Sequence, residues 1–116
     1  MPKIIIADDD QNLREALADS IGALYEDMHI VQVGDGRALV ERVREGGCSL
    51  VLTDFQMPEM DGLEATKRIR EFDKQIPICV LSARDIRIEA LRYGAHYVGK
   101  DAIIRQGTEG YCQFNE

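Results

Sequence analysis

Ser49-Leu50-Val51-Leu52-Thr53-Asp54 is a short apolar, β-branched run that stops at a carboxylate. The same plan occurs near the start of the chain, where Ile4 to Ala7 runs straight into Asp8-Asp9-Asp10. Apolar runs without polar alternation read as strands buried on both faces, the habit of a parallel sheet. Two such strands that both end in aspartate place acidic groups at one edge of that sheet.

The intervening and following segments alternate helix with strand. After Asp8-Asp9-Asp10, the residues Leu13, Ala16, Leu17, Ser20, Ile21 and Leu24 fall at helical spacing, with Asp10 or Asn12 as the cap. His29 to Val33 reads as a second strand closed by Gly34-Asp35-Gly36, and Arg37 to Glu45 as a second helix ended by Gly46-Gly47. Beyond the 49–54 run and the loop Phe55 to Asp61, a helix is expected over Gly62 to Phe72, with Leu63, Thr66, Ile69 and Phe72 inward. Pro77 opens a fourth strand, Ile78 to Leu81, which ends in Ser82-Ala83. Arg84 to Tyr93 is a weaker helix whose inward set is Ile86, Ala90 and Leu91, and Ala95 to Gly99 a fifth strand ending at Lys100. Strand–helix alternation implies right-handed crossovers and a sheet covered on both faces, with ligands bound beyond the carboxyl ends of the strands.

Composition narrows the classes of function. A chain of 116 residues fits one domain, and 45% hydrophobic with 30% charged residues is a globular balance. The excess of 21 acidic over 14 basic residues, net −7, opposes direct binding of nucleic acid by this segment. No apolar run approaches the ~20 residues needed to span a bilayer, and the start lacks a signal-peptide plan, so the expected location is the cytoplasm. Cys48, Cys79 and Cys112 are odd in number and lack metal-ligand spacing, which makes them small buried thiols rather than disulfide or zinc partners.

The strand ends therefore bring together Asp8 and Asp9, Asp54, Ser82 and Lys100. Three carboxylates in one pocket repel one another and call for a cation, and hard oxygen donors with room for water suit Mg²⁺. Asp54 is then the nucleophile, Asp9 a direct metal ligand, Asp8 a ligand directly or through water, and the backbone carbonyl of Gln56 a further one. Phosphoryl transfer depends mainly on positioning and charge neutralisation, so Mg²⁺ and the Lys100 ammonium would clamp an incoming phosphate while Ser82 donates its hydroxyl. Taken singly, each residue has a plainer reading, as a helix cap, a turn aspartate or a surface lysine. Their ordered placement at four strand ends is what favours the chemistry.

Over about residues 3 to 100 the pattern resembles the response-regulator receiver family. The matching stretches are Ile4 to Asp9, Thr53-Asp54 with Met57-Pro58-Glu59-Met60-Asp61-Gly62, Leu81-Ser82-Ala83, and Gly94-Ala95-His96-Tyr97 leading to Lys100. The resemblance implies a flavodoxin-like (βα)5 sandwich whose five-stranded parallel sheet has the order 2-1-3-4-5, as one receiver domain over residues 1–116. It implies a phosphoacceptor switch in a two-component phosphorelay, charged by the phosphohistidine of a sensor histidine kinase or a phosphotransfer protein. The face of helix four, strand five and helix five would then change to control an output domain or downstream protein, with a homodimer on phosphorylation as one form. Ser82 and the aromatic Tyr97 would be the moving parts, and Gln56 and Arg84 occupy the positions that tune phosphate lifetime. Such proteins are regulators that assist their own Mg²⁺-dependent phosphotransfer and dephosphorylation.

Two departures stand out. Lys100 is followed by Asp101 where the family usually has proline, a hint of a parent with a helix-turn-helix output. Beyond Ile104 the run Gln106-Gly107-Thr108-Glu109-Gly110 lacks an apolar stripe, so helix five, in the region 101–116, is expected to be short, displaced or missing. Three other functions compete. A pseudo-receiver that docks a partner without phosphorylation would not need the full set of site residues. An aspartyl-phosphate hydrolase would want a second acid where Gln56 stands, and nucleotide binding lacks both glycine-rich signatures.

Overall fold

A computed structural model describes residues 2–100; the fifth-helix region 101–116, Asp101 and Cys112 lie outside the described residues. In chain order the elements are β1 (Lys3–Ala7), α1 (Gln11–Leu24), β2 (His29–Val33), α2 (Gly36–Arg44), β3 (Cys48–Asp54), α3 (Gly62–Arg70), β4 (Ile78–Ser82), α4 (Arg87–Arg92) and β5 (His96–Gly99). The strands form one sheet in the order β2-β1-β3-β4-β5, every pair parallel. This is the flavodoxin-like arrangement expected, and its order reverses between β1 and β3.

Period two along each strand divides the core. Ile4, Ile6, Leu50, Leu52, Cys79 and Leu81 face α1 through Leu17, Ala18 and Ile21. Ile5, Ala7, Val31, Val51, Ile78 and Val80 face the opposite layer through Leu39 and Val43 of α2, Leu63 and Ile69 of α3, and Ala90 of α4. Ile5, Ile6, Val51, Leu52 and Ile78 are fully buried, each worth about 1.5–3 kcal/mol of transfer free energy. No helix among the described residues is long and apolar enough to cross a membrane.

Several local expectations need correction. β3 reaches Asp54, which pairs in register with Leu81, and β4 reaches Ser82, paired with Gly99, so both polar residues belong to the sheet rather than to the loops after it. α4 begins at Arg87, not Arg84, because Ser82 Oγ accepts the Arg84 N–H at 3.0 Å and Asp85 Oδ1 the Arg87 N–H at 3.0 Å. These side chains offer the backbone an alternative to helix. With only six residues α4 buries Ala90 alone, and Leu91 is 67% exposed. β5 starts at His96, since the Ala95 N–H closes the preceding turn on Ala90 O.

On α1 the buried set is Leu17, Ala18 and Ile21; Ala16, Ser20 and Leu24 face water, and Leu13 is only half-buried. The stripe expected from spacing takes in the solvent-facing row Ala16, Ser20 and Leu24 and leaves out the buried Ala18. α3 ends at Arg70, after which Asp73 Oδ1 takes the N–H groups of Gln75 and Ile76, and Phe72 turns outward under the Arg44 guanidinium, 4.5 Å from its ring centroid. Asp10, not Asn12, caps α1, and Asp35 and Asp61 cap α2 and α3 in the same way. Asp61 with Glu64 three residues on is a spacing that could have been read beforehand.

Candidate functional site

Asp8 follows the last residue of β1, and the register that sets Ala7 beside Thr53 brings it level with Asp54 at the point where the strand order reverses. Asp8 is 1% exposed and Asp54 4%, whereas Asp9 lies open to solvent. Carboxylate oxygens of Asp8, Asp9 and Asp54 all lie within 4.8 Å of one another. Asp8 Oδ1 accepts the Asp10 N–H at 2.9 Å, but its Oδ2 is buried with no hydrogen-bond partner. Burial pushes the Asp8 carboxyl up to about 6; the Asp10 N–H opposes that rise and the negative Asp54 adds to it.

Among the described residues, one cation pairs with the cluster. Lys100 Nζ stands 2.9 Å from Asp54 Oδ1, which also accepts the Phe55 N–H at 3.0 Å. Burial disfavours the charged lysine, yet its hydrogen bond to Asp54 and the fields of Asp54, Asp8 and Asp9 outweigh that, so its pKa lies above the ordinary 10.5. The backbone after Asp54 is folded tightly against it: the Gly62 N–H bonds Phe55 O at 2.7 Å, and any Cβ on Gly62 would run into the Asp54 carbonyl oxygen. In the same loop Glu59 adopts a left-handed φ of 67°. Glycine at 62 is thus required by the close approach of the loop to the strand end.

Beside Asp54 opens a cavity of about 200 Å³ lined by Asp54, Phe55, Gln56, Ser82, Ala83, Arg84 and Lys100. Ser82 is 4% exposed, and because its Oγ accepts from the Arg84 N–H, its own proton remains available to an acceptor in the cavity. The Arg84 guanidinium lies over the Phe55 ring, 5.4 Å from the centroid. Chemically, the site offers a carboxylate beside an ammonium, a hydroxyl donor and a surplus of negative oxygen. The orphaned Asp8 Oδ2 and the all-oxygen donor set fit a hard divalent cation such as Mg²⁺.

Asp8, Asp9, Asp54 and Lys100 are brought together, and Gln56 and Ser82 line the adjoining cavity. Tyr97 is not among the residues lining it. It sits half-buried on β5 with the Arg87 guanidinium 5.8 Å from its ring centroid, and a Cβ on Gly99 would lie 3.1 Å from its hydroxyl. Phe55 as a cavity wall was missed by sequence reasoning, and so was Arg14, which donates to the Asp8 carbonyl at 2.8 Å from 6 residues away. No local sequence pattern marks either one.

A sequence model described as the response regulator receiver domain matches residues 4–105. The response regulator receiver protein CpdR of Brucella abortus (strain 2308) is 36% identical over 83 residues, covering 71% of this chain and 67% of CpdR. The response regulator MprA of Mycolicibacterium vanbaalenii is 33% identical over 96 residues, 80% of this chain but 41% of MprA. The chain thus spans under half the length of MprA. Among solved structures, the chemotaxis response regulator CheY4 of Vibrio cholerae superposes with a TM-score of 0.86 at 20% identity over 98% of both chains. The complex of the Saccharomyces cerevisiae histidine phosphotransfer signalling protein Ypd1 with the receiver domain of its downstream response regulator Ssk1 matches with a TM-score of 0.75 at 26% identity, covering 96% of this chain and 89% of that one.

Proposed function

The chain belongs to the response-regulator receiver family, regulators rather than classic enzymes, and we propose that it works as a phosphoacceptor switch with Asp54 as the acceptor. The observation that carries this reading is the Asp54 carboxylate, held at 2.9 Å by Lys100 inside a cluster of three acids and opening on a cavity of about 200 Å³. A carboxylate oxygen of Asp54 forms a bond to phosphorus as the N–P bond of a phosphohistidine breaks. The electron pair of that bond stays on the imidazole of the donor, a sensor histidine kinase or a phosphotransfer protein. That the Ssk1 receiver is paired with a histidine phosphotransfer protein supports a donor of this class.

Asp8, Asp9, Asp54 and the Gln56 carbonyl would hold Mg²⁺, which when bound supplies charge neutralisation for the attacking and transferred groups. Lys100 balances a phosphate oxygen on the other side, and Ser82 donates its free proton to another, its side chain turning towards the phosphate and away from the Arg84 N–H. Release of the Arg84 N–H by Ser82 loosens the turn that precedes α4, which passes the event to α4 and β5. Tyr97 on β5 is the aromatic that would follow. Residues 1–116 make up one receiver domain in this reading, in the cytoplasm, without nucleic acid or membrane contacts of its own. Its output is a downstream protein or a further domain, with dimerisation on phosphorylation as one form of response.

Acetyl phosphate with Mg²⁺ is expected to add about 80 Da to the protein, and Asp54→Asn to abolish the adduct, by intact mass spectrometry. An unmodified mass for the native chain under those conditions would overturn the reading in favour of a pseudo-receiver that docks its partner unphosphorylated.

A further inference from the structure

Three consecutive aspartates connect β1 to α1 without a spare residue, and the direction each carboxylate takes depends on how the intervening peptides are held. Asp10 is committed to the cap of α1 through the Leu13 N–H at 3.2 Å. The Asp8 peptide is held at both of its backbone atoms. Its N–H donates to Val33 O of β2 at 3.1 Å, and its carbonyl accepts from Arg14 Nη1 at 2.8 Å. Arg14 in turn donates through Nε to Gln32 Oε1 at 3.2 Å, so the guanidinium bridges α1, the end of β1 and the neighbouring strand β2. The Asp9 side chain has no hydrogen bond of its own among the described residues; where its carboxylate points is set by the Asp8–Asp9 peptide, whose oxygen Arg14 holds.

We infer that Arg14 is a positioning residue for the cation site: by fixing the Asp8 carbonyl against β2 it makes the Asp8 and Asp9 carboxylates converge on Asp54. The inference rests on the cation-binding part of the proposed function. Arg14 acts through the peptide plane, since its contact is with the neutral carbonyl and not with a carboxylate oxygen. Only a guanidinium supplies two donors fixed at the spacing that spans the Asp8 carbonyl and the Gln32 amide; a lysine ammonium keeps the charge but reaches a single partner. Residues that orient metal ligands from behind are typically worth 10–100-fold in metal affinity.

That leads to a test in which geometry and charge give opposite answers. Mg²⁺ affinity is measured without any phosphodonor, by calorimetry and by the Mg²⁺-dependent rise in Tm, for the native chain and for Arg14→Lys, Arg14→Gln and Gln32→Met. Positioning predicts about 10-fold weaker Mg²⁺ binding for both Arg14 variants and a smaller loss in the same direction for Gln32→Met, with the acetyl phosphate adduct forming at the native rate once Mg²⁺ saturates. If Arg14 were only a counter-charge to the aspartates, Arg14→Gln would bind Mg²⁺ more tightly and Arg14→Lys would match the native chain; either result overturns the inference. Should the Arg14 variants fail to fold, the exposed Gln32→Met decides alone, and native affinity there counts against it. A native chain that binds no Mg²⁺ at all would instead sink the cation site itself, which distinguishes the two failures.

Discussion

Arg70 at one end of the sheet and Lys100 at the other each meet several oxygens, and the two clusters are built on opposite principles. At the amino end the Arg70 guanidinium donates to the carbonyls of Gly94 at 3.2 and 2.7 Å, Ile76 at 2.7 Å and Asp73 at 3.1 Å. Its oxygens are neutral, all its nitrogens are used, and it fastens the end of α3 to the entries of β4 and β5. Burial lowers the Arg70 pKa somewhat, with Asp73 opposing, and the group still meets as many acceptors as it has nitrogens. At the carboxyl end Lys100 faces three carboxylates, one of which keeps a buried oxygen without a partner. The first cluster is complete as it stands and serves the fold. The second leaves negative charge over, and burial makes that charge costly unless a further ion or group completes it.

The widest separation between the two ends is expected from Asp8→Asn. With its pKa raised from 3.8 to about 6, Asp8 is protonated below pH 3.8 in the folded and unfolded chains alike and costs nothing. Between those values only the unfolded chain ionises, so the Asp8 contribution to stability falls as pH rises. Above about 6 the full cost is present, about 3 kcal/mol. The variant should therefore stabilise the metal-free protein at pH 7.5 by about 3 kcal/mol, a Tm increase on the order of 10 °C, and lose the Mg²⁺-dependent rise in Tm expected of the native chain. An unchanged or lower metal-free Tm would mean that the leftover charge is already relieved and would erase the contrast.

Arg70→Ala should do the reverse. Removing the guanidinium leaves the carbonyls of buried Ile76 and half-buried Asp73 short of a donor, while that of exposed Gly94 turns to water, at a cost of about 2 kcal/mol. Because no proton equilibrium is involved, urea midpoints should drop by a similar amount at pH 5 and pH 8, and Mg²⁺ should stabilise the variant as much as the native chain. A loss confined to one pH, or a changed response to Mg²⁺, would show that the two ends are coupled.

The two ends also differed in how far the sequence disclosed them. Asp8, Asp54, Ser82 and Lys100 could be located because each closes an apolar run, and a strand buried on both faces leaves no ambiguity about where its polar end lies. The alternation with helices pointed to a parallel sheet, and the order of its strands came from the family resemblance alone. Arg70 and Arg14 were invisible, since their partners lie up to 24 and 18 residues away and a long side chain carries no local sign of its reach. Short helices were the weakest readings: with six residues in α4, too few inward positions exist for periodicity to assign Leu91, and the side chains of Ser82 and Asp85 decide where the helix starts. Tyr97 was placed on the right strand, but its direction depends on Arg87 and on the bare Cα of Gly99, both tertiary facts.

The smallest effect sharpens the contrast most. Lys100→Ala removes the only cation paired with Asp54 among the described residues, yet the lysine side chain is 33% exposed, so the loss of that pair in the metal-free protein should be modest, about 1 kcal/mol at pH 7.5. Because the Lys100 pKa is raised, its contribution is fully present below 10.5 and fades only as pH climbs beyond that, so the difference should be constant from pH 7 to 9. Saturating Mg²⁺ should restore the lost stability, since a divalent ion neutralises the same carboxylates, while capture of the phosphoryl group from acetyl phosphate slows. On the proposed function Lys100 would thereby be replaceable as a charge and not as a phosphate ligand, whereas no added ion can stand in for the fork of Arg70. If Mg²⁺ fails to recover the stability of Lys100→Ala, the lysine is holding the fold rather than the charge balance, and the two ends of the sheet are alike after all.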